Sequence, residues 1–396
     1  MDTYCARSWN YFLVDLDKMD QKMCCKTQWK PMEPGVDWFN GPNIKQRRAN
    51  HLDGKRHSDC EHCWELEDKG HFSPRLAIAR PDPISDSLDS YRGGMLELSV
   101  GNTCDLACRY CNSRYSHIWA ARMQDKSNSK EGRASNKSDT KTQQSMDQFY
   151  AWLDLEKEKL ADVLITGGEP LLIPETYELL SRTRFRDVNI QFNTNLNTPD
   201  HYLNKIEEAI DRLLDDGNRV MFRVSVDGVG SKNDWQRQNC DWNRWRDNWF
   251  RIGSRPVKMK AALTLTPLTL EGMPELGQFV LDSSTSLNHK PTFEVINVVT
   301  WPRPLNVTEW ITSFKHEIAE FGRIVDQQYD YGAKEHIKRQ ISTWLNLENT
   351  LPSAKQVTSF TDFLDGSQAR WGGGDWRSIY PKTAEIAQRV LDQGPT

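Results

Sequence analysis

Between residues 94 and 300, short apolar runs alternate with helical patterns, and this alternation narrows the available folds more than any other feature of the chain. The runs are "MLELSV" (95–100), "ADVLITGG" (161–168), "DVNIQFNTN" (187–195), "RVMFRVSVDG" (219–228), "VKMKAALTL" (257–265) and "PTFEVINVV" (291–299). Each has the length and apolar content of a buried strand and ends near turn or polar residues. Between them lie helix-period stretches such as "PETYELLSRT" and "PDHYLNKIEEAIDRLLDDG", the latter running from a Pro-Asp start to a glycine stop. Strands that alternate with helices pair in parallel, because a parallel neighbour needs a crossover long enough to hold a helix. The chain is therefore expected to be α/β with a parallel sheet. Periodicity alone leaves open whether that sheet lies flat or curls into a partial barrel.

The flanks read differently. Residues 1–80 are rich in cysteine, tryptophan and turn residues ("QWKPMEPGVDWFNGPN") and poor in long periodic segments. A module of that kind gains from a metal cross-link. Residues 81–93 read as a linker, since the prolines of "ARPDPISDS" disfavour helix. Residues 124–148 are polar and read as a solvated insertion in the core. Residues 301–396 carry helical patterns ("VTEWITSFKHEIAEFGRIVDQQ", "AKEHIKRQISTWLNLEN") and a tail with glycine and tryptophan. No internal repeat is found.

A net charge of −4 gives no global field toward nucleic acid or a membrane surface. The opening residues lack a signal peptide's basic start and apolar run, and no stretch has the apolar length of a membrane span, so a cytoplasmic protein is expected. The basic-aromatic stretch 237–255 reads as a solvated helix face, and most of the fifteen tryptophans as core.

Nine cysteines are too few and too clustered for a disulfide scaffold. Cys240 stands alone and reads as a packing residue. Cys104, Cys108 and Cys111 form a C-x3-C-x2-C pattern directly after the first strand, where parallel α/β folds gather their active sites. Cys108 and Cys111 share a face of an incipient helix, and Cys104 can fold over to join them. Three thiolates can hold three irons of a four-iron, four-sulfur cluster and leave the fourth iron open. The alternative is a zinc site completed by His117. Around the triplet, Tyr110 offers a ring for stacking, and "ITGGEP" lets the backbone at Gly167 and Gly168 approach a ligand while Glu169 can accept from an ammonium group. "VSVDG" offers Ser225 and Asp227.

These motifs together resemble the radical S-adenosylmethionine (radical SAM) superfamily over roughly residues 94–300. "CDLACRYC" matches its cluster motif, with Tyr110 as the aromatic residue, and "GGEP" matches its second-strand motif, which in the family holds the methionine amino group. "NTN" at Asn195 and "SVDG" at 225–228 resemble segments that contact the ribose and methionine, and Arg237 sits where relatives carry an arginine facing the carboxylate. The resemblance implies a partial (β/α)6 TIM-like barrel core and reductive cleavage of SAM at the 4Fe–4S cluster. The resulting 5′-deoxyadenosyl radical would take hydrogen from a substrate, either a peptide or protein or a small polar metabolite. It also implies an electron donor such as flavodoxin or ferredoxin.

Cys5, Cys24, Cys25, Cys60 and Cys63 resemble, through "MCC", "DWFN" and "C-x-x-C", the auxiliary-cluster modules of SPASM and twitch type. Met23 replaces the usual proline, and the module precedes the core rather than following it. A second 4Fe–4S cluster is implied there, with either Cys24 or Cys25 as a ligand, and oxidoreductase chemistry becomes possible. Against this stands a second class of reading: a non-catalytic metal-binding or interaction protein that has kept the fold, with zinc at the N-terminal cysteines.

Overall fold

The computed structural model describes residues 3–68, 73, 75–76, 93–129, 139–293, 297–299, 301–327 and 331–393. The linker up to residue 92 and residues 130–138 of the polar insertion lie outside these. The chain divides into two compact units.

The first unit draws on residues 1–102, 124–192 and 209–219. Its strands are β1 (Tyr11–Asp15), β2 (Asp20–Lys22), β3 (Lys30–Pro31), β4 (Gly94–Ser99), β5 (Leu160–Thr166) and β6 (Asn189–Thr194). They lie in the order β3-β2-β1-β4-β5-β6. β4, β5 and β6 are parallel, so β4 and β5 point their carboxyl ends the same way. β1 adds in parallel on the other side of β4, with Tyr11 opposite Met95 and Asp15 opposite Ser99. Sequence analysis found no strand here. "YFLVD" is short and buried at every position, so it lacks the alternation that marks a half-exposed strand. The cysteine-rich stretch thus extends the sheet, with β2 and β3 continuing it antiparallel.

The polar insertion also differs from its reading. Residues 140–148 open a helix, Thr140–Glu156, capped by the Asp139 carboxylate accepting from the Thr142 amide at 3.0 Å. Its first buried positions are Thr142 and Ser145, which do not register as apolar, and the Ser145 hydroxyl donates to the Met32 carbonyl. Only beyond residue 148 does the face become aromatic, with Trp152 stacked on Phe39 at 5.1 Å and edge-on to Phe12 at 5.3 Å.

The second unit draws on residues 103–123, 193–208 and 220–396. β7 (Arg219–Ser225), β8 (Lys258–Ala262) and β10 (Thr292–Phe293) run parallel in that order, and β9 (Thr264–Leu265) pairs with β11 (Asn297–Val298). Long helices fill the rest, among them Pro267–Ser283, Ala354–Trp371 and Pro381–Asp392. In the helix Trp242–Gly253, Trp245 and Trp249 stack at 5.4 Å and are fully buried, while Arg244 and Arg246 face solvent. Burial of each large ring is worth about 1.5–3 kcal/mol, so core packing explains these tryptophans.

The α/β class expected from the alternation is the one found: mostly parallel strands with helices, and an open strand order in each unit rather than a closed barrel. No helix among the described residues is long and apolar enough to cross a membrane.

Candidate functional site

The loop after β4 carries the cysteine triplet, and within the second unit it is fixed on several sides. Its backbone pairs with residues 236–238: the Ala107 amide donates to the Gln238 carbonyl at 2.9 Å and the Arg109 amide to Gln236 at 3.0 Å. Asp105 is clipped by two asparagines beyond β6, accepting from Asn195 Nδ2 at 2.8 Å and Asn197 Nδ2 at 2.9 Å. Arg109, buried between the second and third cysteines, lays its guanidinium over Trp235 at 3.6 Å and donates to the Gly372 carbonyl at 2.9 Å. The C-terminal tail is therefore part of the loop's scaffold.

On this scaffold Cys104 and Cys108 are buried around Leu106, with Tyr110, Cys111 and Cys240 packed against them. Asn195 Nδ2 stands 3.8 Å from Cys104 Sγ, and Arg237 Nη1 stands 3.8 Å from Cys108 Sγ, so each thiol faces a donor. Burial pushes the Cys108 thiol up to about 12, with the Arg237 charge working against that shift. Burial also raises Cys111.

Asp227 ties the rest together. Its carboxylate accepts from the Tyr110 hydroxyl and from the Thr264 amide at 2.8 Å, and it lies 2.8 Å from Arg237 Nε. The Arg237 N–H is not aimed at that oxygen, so the pair is held chiefly by charge. Both side chains are almost entirely removed from solvent, at 6% and 0% exposure. Burial opposes the Arg237 charge, but Asp227 overrides it and raises the guanidinium pKa. Burial lifts the Tyr110 phenol well above its ordinary value. Ser225, half-buried, ends β7 opposite Ala262. Cys104, Cys108, Cys111, Tyr110, Asn195, Asp227 and Arg237 thus share one neighbourhood. Asp105, Asn197 and Arg109 belong to it too and were not singled out from sequence.

His117 Nδ1 accepts from the Cys104 amide at 3.1 Å. That bond leaves the ring proton on Nε2, so in this arrangement neither nitrogen offers a lone pair to a metal. This weighs against the zinc alternative.

In the first unit, the "GGEP" turn follows β5. Gly167 has φ +143°, and a Cβ there would fall 2.5 Å from the Gly101 carbonyl oxygen. The neighbouring Gly168 amide donates to the same oxygen at 2.7 Å. Glu169 is fully buried and accepts from the Leu171 amide at 3.1 Å, which caps the turn 170–172. Gly167→Ala must displace backbone and is expected to cost about 1–3 kcal/mol, read as a lowered urea midpoint at unchanged slope. An unchanged midpoint would show that the turn relaxes freely.

Four of the N-terminal cysteines share a pocket: Cys5, Cys24, Cys60 and Cys63 line it together with Arg7 and Arg47. Cys25 is not in that lining; it is exposed, and Arg7 Nη1 donates to its sulfur at 2.9 Å. Burial raises Cys5, Cys60 (to about 12) and Cys63. Cys24 is instead held down to about 5, chiefly because the Cys25 thiol donates to it.

A cysteine trio on the loop that follows a parallel strand in sequence is a donor set suited to an iron–sulfur cluster in an α/β protein. Residues 98–280, a little under half of the chain, match the model of the Radical SAM superfamily. The sporulation killing factor maturation protein SkfB of Bacillus subtilis (strain 168) is 27% identical over 160 residues, 40% of this chain and 32% of SkfB. The chain thus matches about a third of that relative's length. Streptococcus suis SuiB resembles it with a TM-score of 0.40 and 12% identity, over 73% of this chain and 63% of SuiB. SuiB bound to precursor peptide SuiA gives 0.37 and 13%, over 89% and 73%.

Proposed function

We propose that this chain is a radical SAM enzyme whose 4Fe–4S cluster is held by Cys104, Cys108 and Cys111, and whose substrate is a peptide or protein. The observation that carries the reading is the trio of thiols on one braced loop, two of them buried and facing the donors Asn195 and Arg237. Bound there, the cluster and SAM would supply a carbon radical that takes a hydrogen atom from the substrate. The chain's own residues do the positioning. Asp227 fixes the Tyr110 ring and the Arg237 charge, and Asn195 braces the first ligand through Asp105. Gly167, Gly168 and Glu169 are assigned to the methionine end of SAM and Ser225 to its ribose side. A peptide is favoured over a small metabolite because the curated relative SkfB is by name a maturation protein. A flavodoxin or ferredoxin is the proposed electron donor.

Cys5, Cys24, Cys60 and Cys63 are assigned to an auxiliary 4Fe–4S cluster, with Cys24 rather than Cys25 as ligand because only Cys24 faces the shared cavity.

Anaerobic reconstitution with SAM and dithionite tests the enzyme: 5′-deoxyadenosine is expected, and deuterium transferred into it from labelled candidate peptides identifies the substrate. Well-loaded protein that makes none would overturn the reading. Metal analysis tests the second site. About eight irons per chain are expected, falling to about four in Cys60→Ala and Cys24→Ala but not in Cys25→Ala. About four irons plus one zinc would mark a structural zinc site instead.

A further inference from the structure

The helix Pro42–Leu52 presents an unusual side chain to the cavity of the four N-terminal cysteines. Arg47 is 1% exposed, and among the described residues its one hydrogen bond runs from Nη2 to the Met23 carbonyl at 3.3 Å. Its Nε–H is buried without a partner. Among the described residues no carboxylate pairs with it. The other charges nearby are accounted for: Arg75 pairs with Glu67, Asp59 with Lys30 at 3.5 Å, and Arg7 donates to Cys25. One turn along the helix, His51 Nε2 lies 3.9 Å from Cys60 Sγ. The adjacent Arg48, equally buried, turns elsewhere, to the Ser8 carbonyl at 2.8 Å and Asn40 Oδ1 at 2.7 Å.

A guanidinium removed from water and left without a counter-ion is strongly unfavourable, so such a group implies an anion within reach. An iron–sulfur cluster held by four thiolates would supply that anion: it carries net negative charge that grows by one on reduction, and its sulfurs accept hydrogen bonds that help set its potential.

We propose that Arg47 sets the reduction potential of the auxiliary cluster, donating its unpartnered Nε–H to a cluster or cysteine sulfur and favouring the reduced state through its buried charge. This rests on the assignment of a cluster to Cys5, Cys24, Cys60 and Cys63. Lysine keeps the charge but not the planar donor, and glutamine keeps a donor but not the charge, so the two substitutions separate the contributions.

The test uses the full chain carrying Cys104→Ala, Cys108→Ala and Cys111→Ala, so that the auxiliary cluster is the one left to measure. An EPR-monitored redox titration is expected to show Arg47→Gln shifting the one-electron equilibrium against the reduced cluster by about tenfold or more, about 59 mV per factor of ten. Arg47→Lys is expected to shift it by less than half as much on the logarithmic scale. Pulsed EPR of the reduced cluster in protein labelled with 15N-arginine is expected to show a nitrogen coupling that Arg47→Lys removes. That second readout decides the matter if Arg47→Gln fails to retain iron. An unchanged potential in Arg47→Gln, or a coupling that survives Arg47→Lys, overturns the inference and leaves the auxiliary cluster standing. If the triple-alanine parent binds no iron at all, the cluster assignment itself is wrong, and Arg47 has lost its anion.

Discussion

Cys108→Ala is expected to abolish 5′-deoxyadenosine formation and to remove about four irons per chain, while the fold survives. The loss should be complete rather than graded. Cys108 is buried, its thiol already pushed up to about 12, and it faces Arg237 at 3.8 Å. Cluster binding must strip that proton, which the Arg237 charge assists, and alanine offers nothing to bind. Serine should fail equally, since its oxygen is a harder and less acidic donor than sulfur. The informative contrast is Cys240→Ala. Cys240 packs against the same cysteines, but its sulfur accepts from Asn233 Nδ2 at 3.3 Å and it lies outside the C-x3-C-x2-C pattern. Iron content and 5′-deoxyadenosine yield are expected to stay at the unsubstituted level in Cys240→Ala. A variant that instead lost its core iron would mean a fourth protein ligand closes the cluster, leaving no iron for SAM.

What could be read in the sequence was what lies close together along the chain. The triplet spans eight residues and "GGEP" four, so their chemistry is visible in spacing alone. The supports of the site come from far away. Asp105 meets Asn195 and Asn197 across about ninety positions, and Arg109 reaches Gly372 across 263. Such contacts leave no periodic trace. β1 is hidden for a related reason: a strand buried on both faces has no alternation, and four apolar residues and an aspartate among turn formers look like nothing in particular. Arg47 was missed because an arginine in a polar helix ("PNIKQRRANHL") reads as solvent-facing, which is the usual fate of the type. Which of Cys24 and Cys25 lines the pocket is not legible in spacing, because adjacent residues point their side chains differently; Cys24 does.

Asp227→Ala is expected to lower the unfolding free energy by about 3–5 kcal/mol, the range for breaking a buried ion pair by removing one partner. The cost arises less from the lost attraction than from what is left behind. Arg237, 5% exposed, would remain charged in a site without water, and the Tyr110 hydroxyl and Thr264 amide would each lose an acceptor. Asp227→Asn should cost less, because the amide oxygen can still accept from Thr264 while the charge is gone. The double variant Asp227→Asn with Arg237→Gln should recover part of the loss, since no unpaired charge is then buried. Urea midpoints at constant slope measure all three. The functional consequence is expected to exceed the structural one. With Asp227 gone, nothing on the far side of the ring fixes Tyr110, and Arg237 is free to turn toward the Cys108 thiolate. Folded Asp227→Asn protein should therefore keep its iron yet make 5′-deoxyadenosine more slowly, by tenfold or more if positioning alone is lost. Equal rates in Asp227→Asn and the unsubstituted chain would show that the Tyr110–Asp227–Arg237 triad holds the fold together and does nothing for the cofactor.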